Sequence, residues 1–108
     1  MGNHILLEVY DVKHHLLNDG NALIEVMKKG IERAQMTILN VFKHEFEPQG
    51  VTVVIALSES HASCHTWPEE GSIAIDVYTC GSGKPKLVAL ELLKYLDSNN
   101  FKIRHLDR

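Results

Sequence analysis

The sequence predicts an α+β domain: a two-layer α/β sandwich whose mainly antiparallel sheet carries two helices on one face, in the order β-α-β-β-β-α-β. Three observations predict it. Two stretches repeat apolar residues at spacings of three and four, the period of an amphipathic helix. Five others alternate apolar and polar residues or run in β-branched ones, as strands do. The chain has 108 residues, the length of one domain.

Residues 3–10 open the chain as a strand, with Ile5, Leu7 and Val9 on one face and His4, Leu6, Glu8 and Tyr10 on the other. Asn18-Asp19-Gly20-Asn21 is a polar turn that offers a helix N-cap. Leu23, Ile24, Met27, Ile31 and Ala34 then mark a helix running to about Gln35. Thr37–Phe46 is rich in β-formers and reads as a strand. Glu47-Pro48-Gln49-Gly50 is a turn, and Val51–Leu57 is an apolar β-branched run, a buried strand. Residues 57–69 read as a polar connection, and Ser72–Tyr78 is the next strand. Gly81–Pro85 breaks the chain, with Pro85 suited to a first helical turn. Leu87, Leu90, Leu93 and Leu96 carry the second helix, which ends near Asn99-Asn100, and Phe101–Leu106 forms a last short strand. Helices cover one sheet face; a chain this short cannot bury much of the other, so association is expected there or at an edge.

Composition narrows the function. Hydrophobic residues make up 44% and charged residues 23%, which places the chain among ordinary globular proteins rather than disordered ones. The net charge of −3 supplies no basic surplus for nucleic acid. Val51–Leu57 is far too short to span a bilayer, so no membrane partner is expected. The opening MGNHILLEVY has neither a basic n-region nor a small-residue cleavage site, and Leu6 breaks the myristoylation pattern; a cytoplasmic location is expected. Two cysteines, Cys64 and Cys80, make no disulfide framework and read as free thiols.

The densest chemistry lies at residues 57–69, LSESHASCHTWPE, with two Glu, three Ser, two His, one Cys and one Trp in thirteen positions. Several readings compete. His61, Cys64, His65 and Cys80 are residue types that bind zinc, but an i, i+4 histidine pair faces one way only on a helix, and Pro68 between strands argues against one. A serine hydrolase would need a G-x-S-x-G elbow, which the chain lacks. A polar turn without catalytic work is the plain alternative.

Ser58-Glu59-Ser60-His61 followed by His65-Thr66-Trp67-Pro68-Glu69 resembles the signature of the bacterial and archaeal S-adenosylmethionine decarboxylase proenzymes, and Asp76-Val77-Tyr78-Thr79-Cys80-Gly81 resembles the same family's second motif. The resemblance covers nearly the whole chain. It implies a self-processing pyruvoyl enzyme, cut at the Glu59–Ser60 bond into residues 1–59 and 60–108. In such a chain the Ser60 hydroxyl attacks the Glu59 carbonyl, amide becomes ester, and elimination followed by hydrolysis leaves a pyruvoyl group on the second fragment. A serine hydroxyl is a weak nucleophile at its free pKa and needs a base or strain. His65 matches the histidine that handles protons during processing, with Thr52 as a helper hydroxyl; an ordinary strand threonine is the alternative for Thr52.

The pyruvoyl carbonyl would act as an electron sink through a Schiff base with the substrate, and Cys80 matches the proton donor that follows loss of carbon dioxide. Trp67 and Phe46 match two rings that clamp adenine, and Glu69 the carboxylate that binds the ribose hydroxyls. Glu8 and the first strand are expected near the pocket. The resemblance implies a homodimer with sites at the interface, no pyridoxal phosphate and no metal, and a product that serves as aminopropyl donor for spermidine synthesis. Two departures stand out: Glu70 where many relatives carry an aromatic residue, and a shorter C-terminus. Neither touches a catalytic position, but Glu70 near the pocket leaves a decarboxylase of arginine or ornithine as the alternative substrate assignment. A non-processing regulatory paralogue should have lost Ser60 or His65, and both are present.

Overall fold

The computed structural model describes residues 2–108. Six strands form one sheet in which every pairing is antiparallel: β1 (Asn3–Tyr10), β2 (Ile38–Glu45), β3 (Val51–Leu57), β4 (Ser60–Trp67), β5 (Ser72–Thr79) and β6 (Asn100–Asp107), in spatial order β2-β3-β4-β5-β1-β6. Three helices complete the chain: α1 (His14–Leu17), α2 (Gly20–Arg33) and α3 (Lys86–Leu96). The two-layer α+β expectation holds. The expected order lacked one strand and one short helix.

Strand β4 replaces the polar connection expected at 57–69. Its inward residues are Ala62, Cys64 and Thr66, all buried but small or polar, so the period-two pattern of Ser60–Trp67 carries little hydrophobic contrast. Helix α1 has four residues and buries only Leu17, too little for a helical period to register.

The core lies between one sheet face and helices α2 and α3. Ile5, Leu7 and Val9 of β1, Val53 and Ile55 of β3 and Ile73, Ile75 and Val77 of β5 meet Leu23, Met27 and Ile31 of α2 and Val88 and Leu92 of α3. Asp19 caps α2 by accepting from the Ala22 N–H at 3.0 Å, and Asp97 ends α3 in a left-handed conformation with its N–H on the Leu93 carbonyl. The helices touch at Gly30, where a Cβ would lie 2.7 Å from the Val88 Cα. Gly30→Ala is therefore expected to push α2 from α3 and destabilise the fold by about 1–3 kcal/mol, read as a lower urea midpoint with an unchanged slope.

Among the described residues no helix covers the opposite sheet face. The alternate residues of the strands stand there, among them His4, Thr52, His61, His65, Trp67 and Asp76. No helix among the described residues is long and apolar enough to cross a membrane.

Candidate active site

Strands β3 and β4 pair Leu57 with Ser60, so Ser58 and Glu59 form a two-residue turn. Thr37, just before β2, grips it twice: the Ser58 N–H donates to the Thr37 carbonyl at 3.0 Å, and the Thr37 N–H to Glu59 Oε1 at 3.1 Å. The Thr37 N–H, with the Ser58 side chain, holds the Glu59 carboxyl below its ordinary pKa. Cys80, at the end of β5, grips the turn from the other side. Its N–H reaches the Glu59 carbonyl at 3.0 Å and its thiol reaches the same oxygen at 3.2 Å. Ser60 has φ +153°, a value that residues with a Cβ rarely adopt. The peptide carbonyl before Ser60 thus faces two donors, and the residue after it is strained. Donors fixed on a carbonyl oxygen are placed to stabilise negative charge developing there.

Beside this turn lies a polar cluster. The Ser60 hydroxyl is 3.3 Å from His61 Nδ1, and His61 Nε2 is 3.0 Å from Asp76 Oδ2. His4 Nε2 approaches the same oxygen at 2.8 Å, and Ser63 donates to the other carboxylate oxygen. Burial alone would raise the Asp76 pKa; hydrogen bonds from Ser63, His4 and His61 outweigh it and hold the carboxyl below its ordinary value. Tyr78 packs on both histidine rings and carries the Arg108 guanidinium 4.9 Å from its centroid. His4, His61 and Asp76 are also a metal-ligand set by type. Their separations of 2.8 and 3.0 Å are hydrogen bonds, tighter than the roughly 3.3 Å between neighbouring ligands of a tetrahedral zinc.

A second cluster occupies the other end of the same face. Phe46, Thr52, His65, Trp67 and Glu69 line one cleft of about 260 Å³ together with Gln49, Gly50 and Thr66. Thr52 stands across from His65 in the β3–β4 ladder, with Oγ1 3.0 Å from Nδ1. Phe46 is fixed by the turn into β3, where its N–H donates to the Gly50 carbonyl at 2.8 Å and Gly50 takes φ +104°, open to glycine. The Phe46 ring packs edge-on to His44, and Trp67 lies beside His65. Trp67 is 41% exposed and Phe46 49%, so both rings offer free faces. Glu8 stands on the same sheet face, opposite Ala74, which pairs in turn with His65. A larger hollow of about 350 Å³ between α3 and strands β1 and β6 holds none of the sequence-predicted residues.

The predicted residues therefore fall into two groups. Glu59, Ser60 and Cys80 meet at the β3–β4 turn. Thr52, His65, Phe46, Trp67 and Glu69 meet in the cleft. Ser60 and His65 are five residues apart on one strand, about 16 Å at strand rise, so they do not touch within a chain. The zinc set considered from sequence is not assembled. Cys64 lies on the helix face, fully buried, while His61 and His65 stand on the other. Burial pushes the Cys64 thiol up to about 12, which leaves it protonated and inert; Cys80 is exposed.

Sequence reasoning gave no role to His4, Ser63, Asp76 or Tyr78, and considered His61 only as a zinc ligand. One signal was available: all five occupy the non-core phase of their strands. Their meeting depends on strand pairings (His4 with Tyr78, and Tyr78 with His61) that a single sequence does not state.

The chain matches the family model described as S-adenosylmethionine decarboxylase over residues 3–108. It is 44% identical to the S-adenosylmethionine decarboxylase proenzyme of Prochlorococcus marinus strain MIT 9313, covering 100% of this chain and 87% of that one. It is 38% identical to the proenzyme of the same name from Methanococcus maripaludis, covering 100% and 89%. Among solved structures, the adenosylmethionine decarboxylase of Aquifex aeolicus superposes with a TM-score of 0.91 at 31% identity, over 100% of this chain and 90% of that one. The Trypanosoma brucei AdoMetDC-delta26 monomer gives 0.67 at 14% identity over 94% and 44%, a likeness of fold alone. With the family signature along its length and the fold of a solved member, this chain belongs to the S-adenosylmethionine decarboxylase family.

Proposed function

We propose that the chain cuts itself between Glu59 and Ser60 into residues 1–59 and 60–108, converts Ser60 to a pyruvoyl group, and decarboxylates S-adenosylmethionine. The product would supply aminopropyl groups for spermidine synthesis. One observation carries this reading: the Glu59 carbonyl oxygen already holds two hydrogen bonds from Cys80, next to a strained serine. When the Ser60 hydroxyl adds to the Glu59 carbonyl carbon, that oxygen takes up negative charge where the Cys80 donors stand. Breaking the C–N bond leaves an ester on Ser60 and a free amine. Loss of the Ser60 α-hydrogen then expels the Glu59 carboxylate, giving dehydroalanine, and water replaces its nitrogen as ammonia.

The donor set suits the group this would create. A pyruvoyl at position 60 supplies an electrophilic carbonyl that engages the substrate amine and takes up the electrons released with carbon dioxide. The Cys80 thiol, within reach of residue 59, is placed to donate the proton that replaces the carboxylate. Trp67 and Phe46 offer two ring faces to adenine and to the sulfonium charge, and Glu69 offers a carboxylate to the ribose hydroxyls. Arginine and ornithine would have no use for that clamp.

The site is divided in a way that supports a homodimer. Along β4, His65 stands about 16 Å from Ser60, beside Thr52 on the sheet face opposite the helices. A second chain laid on that face in the opposite direction would bring its His65 to Ser60. Phe42 (58% exposed), Val54 and Trp67 give the face the apolar surface such an interface needs.

Carbon dioxide release from carboxyl-labelled substrates tests the assignment. S-adenosylmethionine is expected to be turned over at least 100-fold faster than arginine or ornithine, and Trp67→Ala to raise KM more than it lowers kcat. Equal or faster release from arginine or ornithine would overturn the substrate assignment.

A further inference from the structure

The reading above assigns proton handling during processing to His65, yet the first step needs a base at the Ser60 hydroxyl. The imidazole that stands there is His61. Its Nδ1 is 3.3 Å from Ser60 Oγ, and its Nε2 is 3.0 Å from Asp76 Oδ2. An ionised carboxylate only accepts hydrogen bonds, so Nε2 carries the hydrogen and Nδ1 presents its lone pair to the serine. Asp76 is itself fixed by His4 from β1 and by Ser63 from β4. Tyr78 from β5 packs against the His61 ring and limits its rotation. Hydroxyl, imidazole and carboxylate are thus in the sequence that activates a serine nucleophile.

We infer that His61, oriented by Asp76, is the base that takes the Ser60 hydroxyl proton in the acyl shift and returns it to the Ser60 nitrogen. The inference rests on the proposed self-cleavage. The Oγ–H proton moves to Nδ1 as Oγ bonds the Glu59 carbonyl carbon. The same proton moves from Nδ1 to the Ser60 nitrogen as the C–N bond breaks. His61 ends neutral, the amide has become an ester, and no other reactant enters. His65 is left with the second step, removal of the α-hydrogen. Asp76 acts through His61 and is a positioning residue.

The two steps separate experimentally, because neutral hydroxylamine cleaves an ester at Ser60 and leaves the amide intact. Full-length chains would be followed by intact mass from the moment of cell-free synthesis, with and without hydroxylamine. His61→Ala is expected to form ester at least 100-fold more slowly than wild type. Imidazole and methylimidazoles added to His61→Ala are expected to restore the ester in order of their basicity, which a packing role would not produce. Asp76→Asn, close in size, is expected to slow ester formation at least tenfold by releasing the ring's tautomer, and serves if His61→Ala fails to fold. Ester formation at the wild-type rate in either folded variant would overturn the role of His61 and leave the proposed function standing. A wild-type chain that neither cuts nor yields to hydroxylamine would overturn both.

Discussion

Ser60→Ala is expected to remain a single chain of 12.2 kDa indefinitely and to release no carbon dioxide from any amino substrate. The side chain is half-buried where β4 leaves the two-residue turn, and removing its oxygen is expected to leave the fold unchanged. Its loss eliminates both functions at once. Among the described residues no other hydroxyl is hydrogen-bonded to the Glu59 carbonyl, whose oxygen accepts from the two Cys80 donors. Without an ester there is no elimination, and without elimination there is no electrophilic carbonyl at position 60. Intact mass and an overlaid thermal melt distinguish this outcome from misfolding, which would lower the melting temperature.

His65→Ala is expected to slow cleavage by about 10²–10⁴-fold, the usual worth of a positioned acid–base group. Its uncut chains are expected to break with hydroxylamine, because the ester forms and waits. The larger point is where the imidazole acts. Along β4, His65 stands about 16 Å from the Ser60 of its own chain. Co-refolding His65→Ala with Ser60→Ala should therefore restore cleavage of the His65→Ala chain, with the partner supplying His65. Neither variant alone should cut. No rescue in the mixture, with dimers present by mass, would mean that His65 acts on its own chain or not at all.

The phase of the core was plain in the first strand, where Ile5, Leu7 and Val9 alternate with the residues of the other face and are buried. Val51–Leu57 reads as a continuous apolar run that hides its phase; Val51, Val53 and Ile55 are among its buried members, as Ile73, Ile75 and Val77 are in β5. Strand β4 was hidden because its buried residues are Ala62, Cys64 and Thr66, which generate little apolar contrast. That omission had a consequence for the site. A loop at 57–69 would let Ser60 and His65 meet, whereas a strand holds them apart. Phe46, Thr52, His65, Trp67 and Glu69 were named from the family resemblance, and the fold brings them to one cleft. The His4–His61–Asp76 group was not, since its members come from three strands distant in sequence and joined only by pairing. The same pairing explains why Cys64 and Cys80, alike as residues, differ in setting: one is buried facing the helices, and the other is exposed where it follows β5 at the turn.

The central claim is that the bond between Glu59 and Ser60 breaks without help from another protein. Its most direct test is the intact mass of purified wild-type protein under denaturing, reducing conditions. The expected result is two fragments, residues 1–59 ending in a free carboxylate and residues 60–108 beginning with pyruvoyl in place of serine. A single chain of 12.2 kDa after prolonged incubation would contradict it.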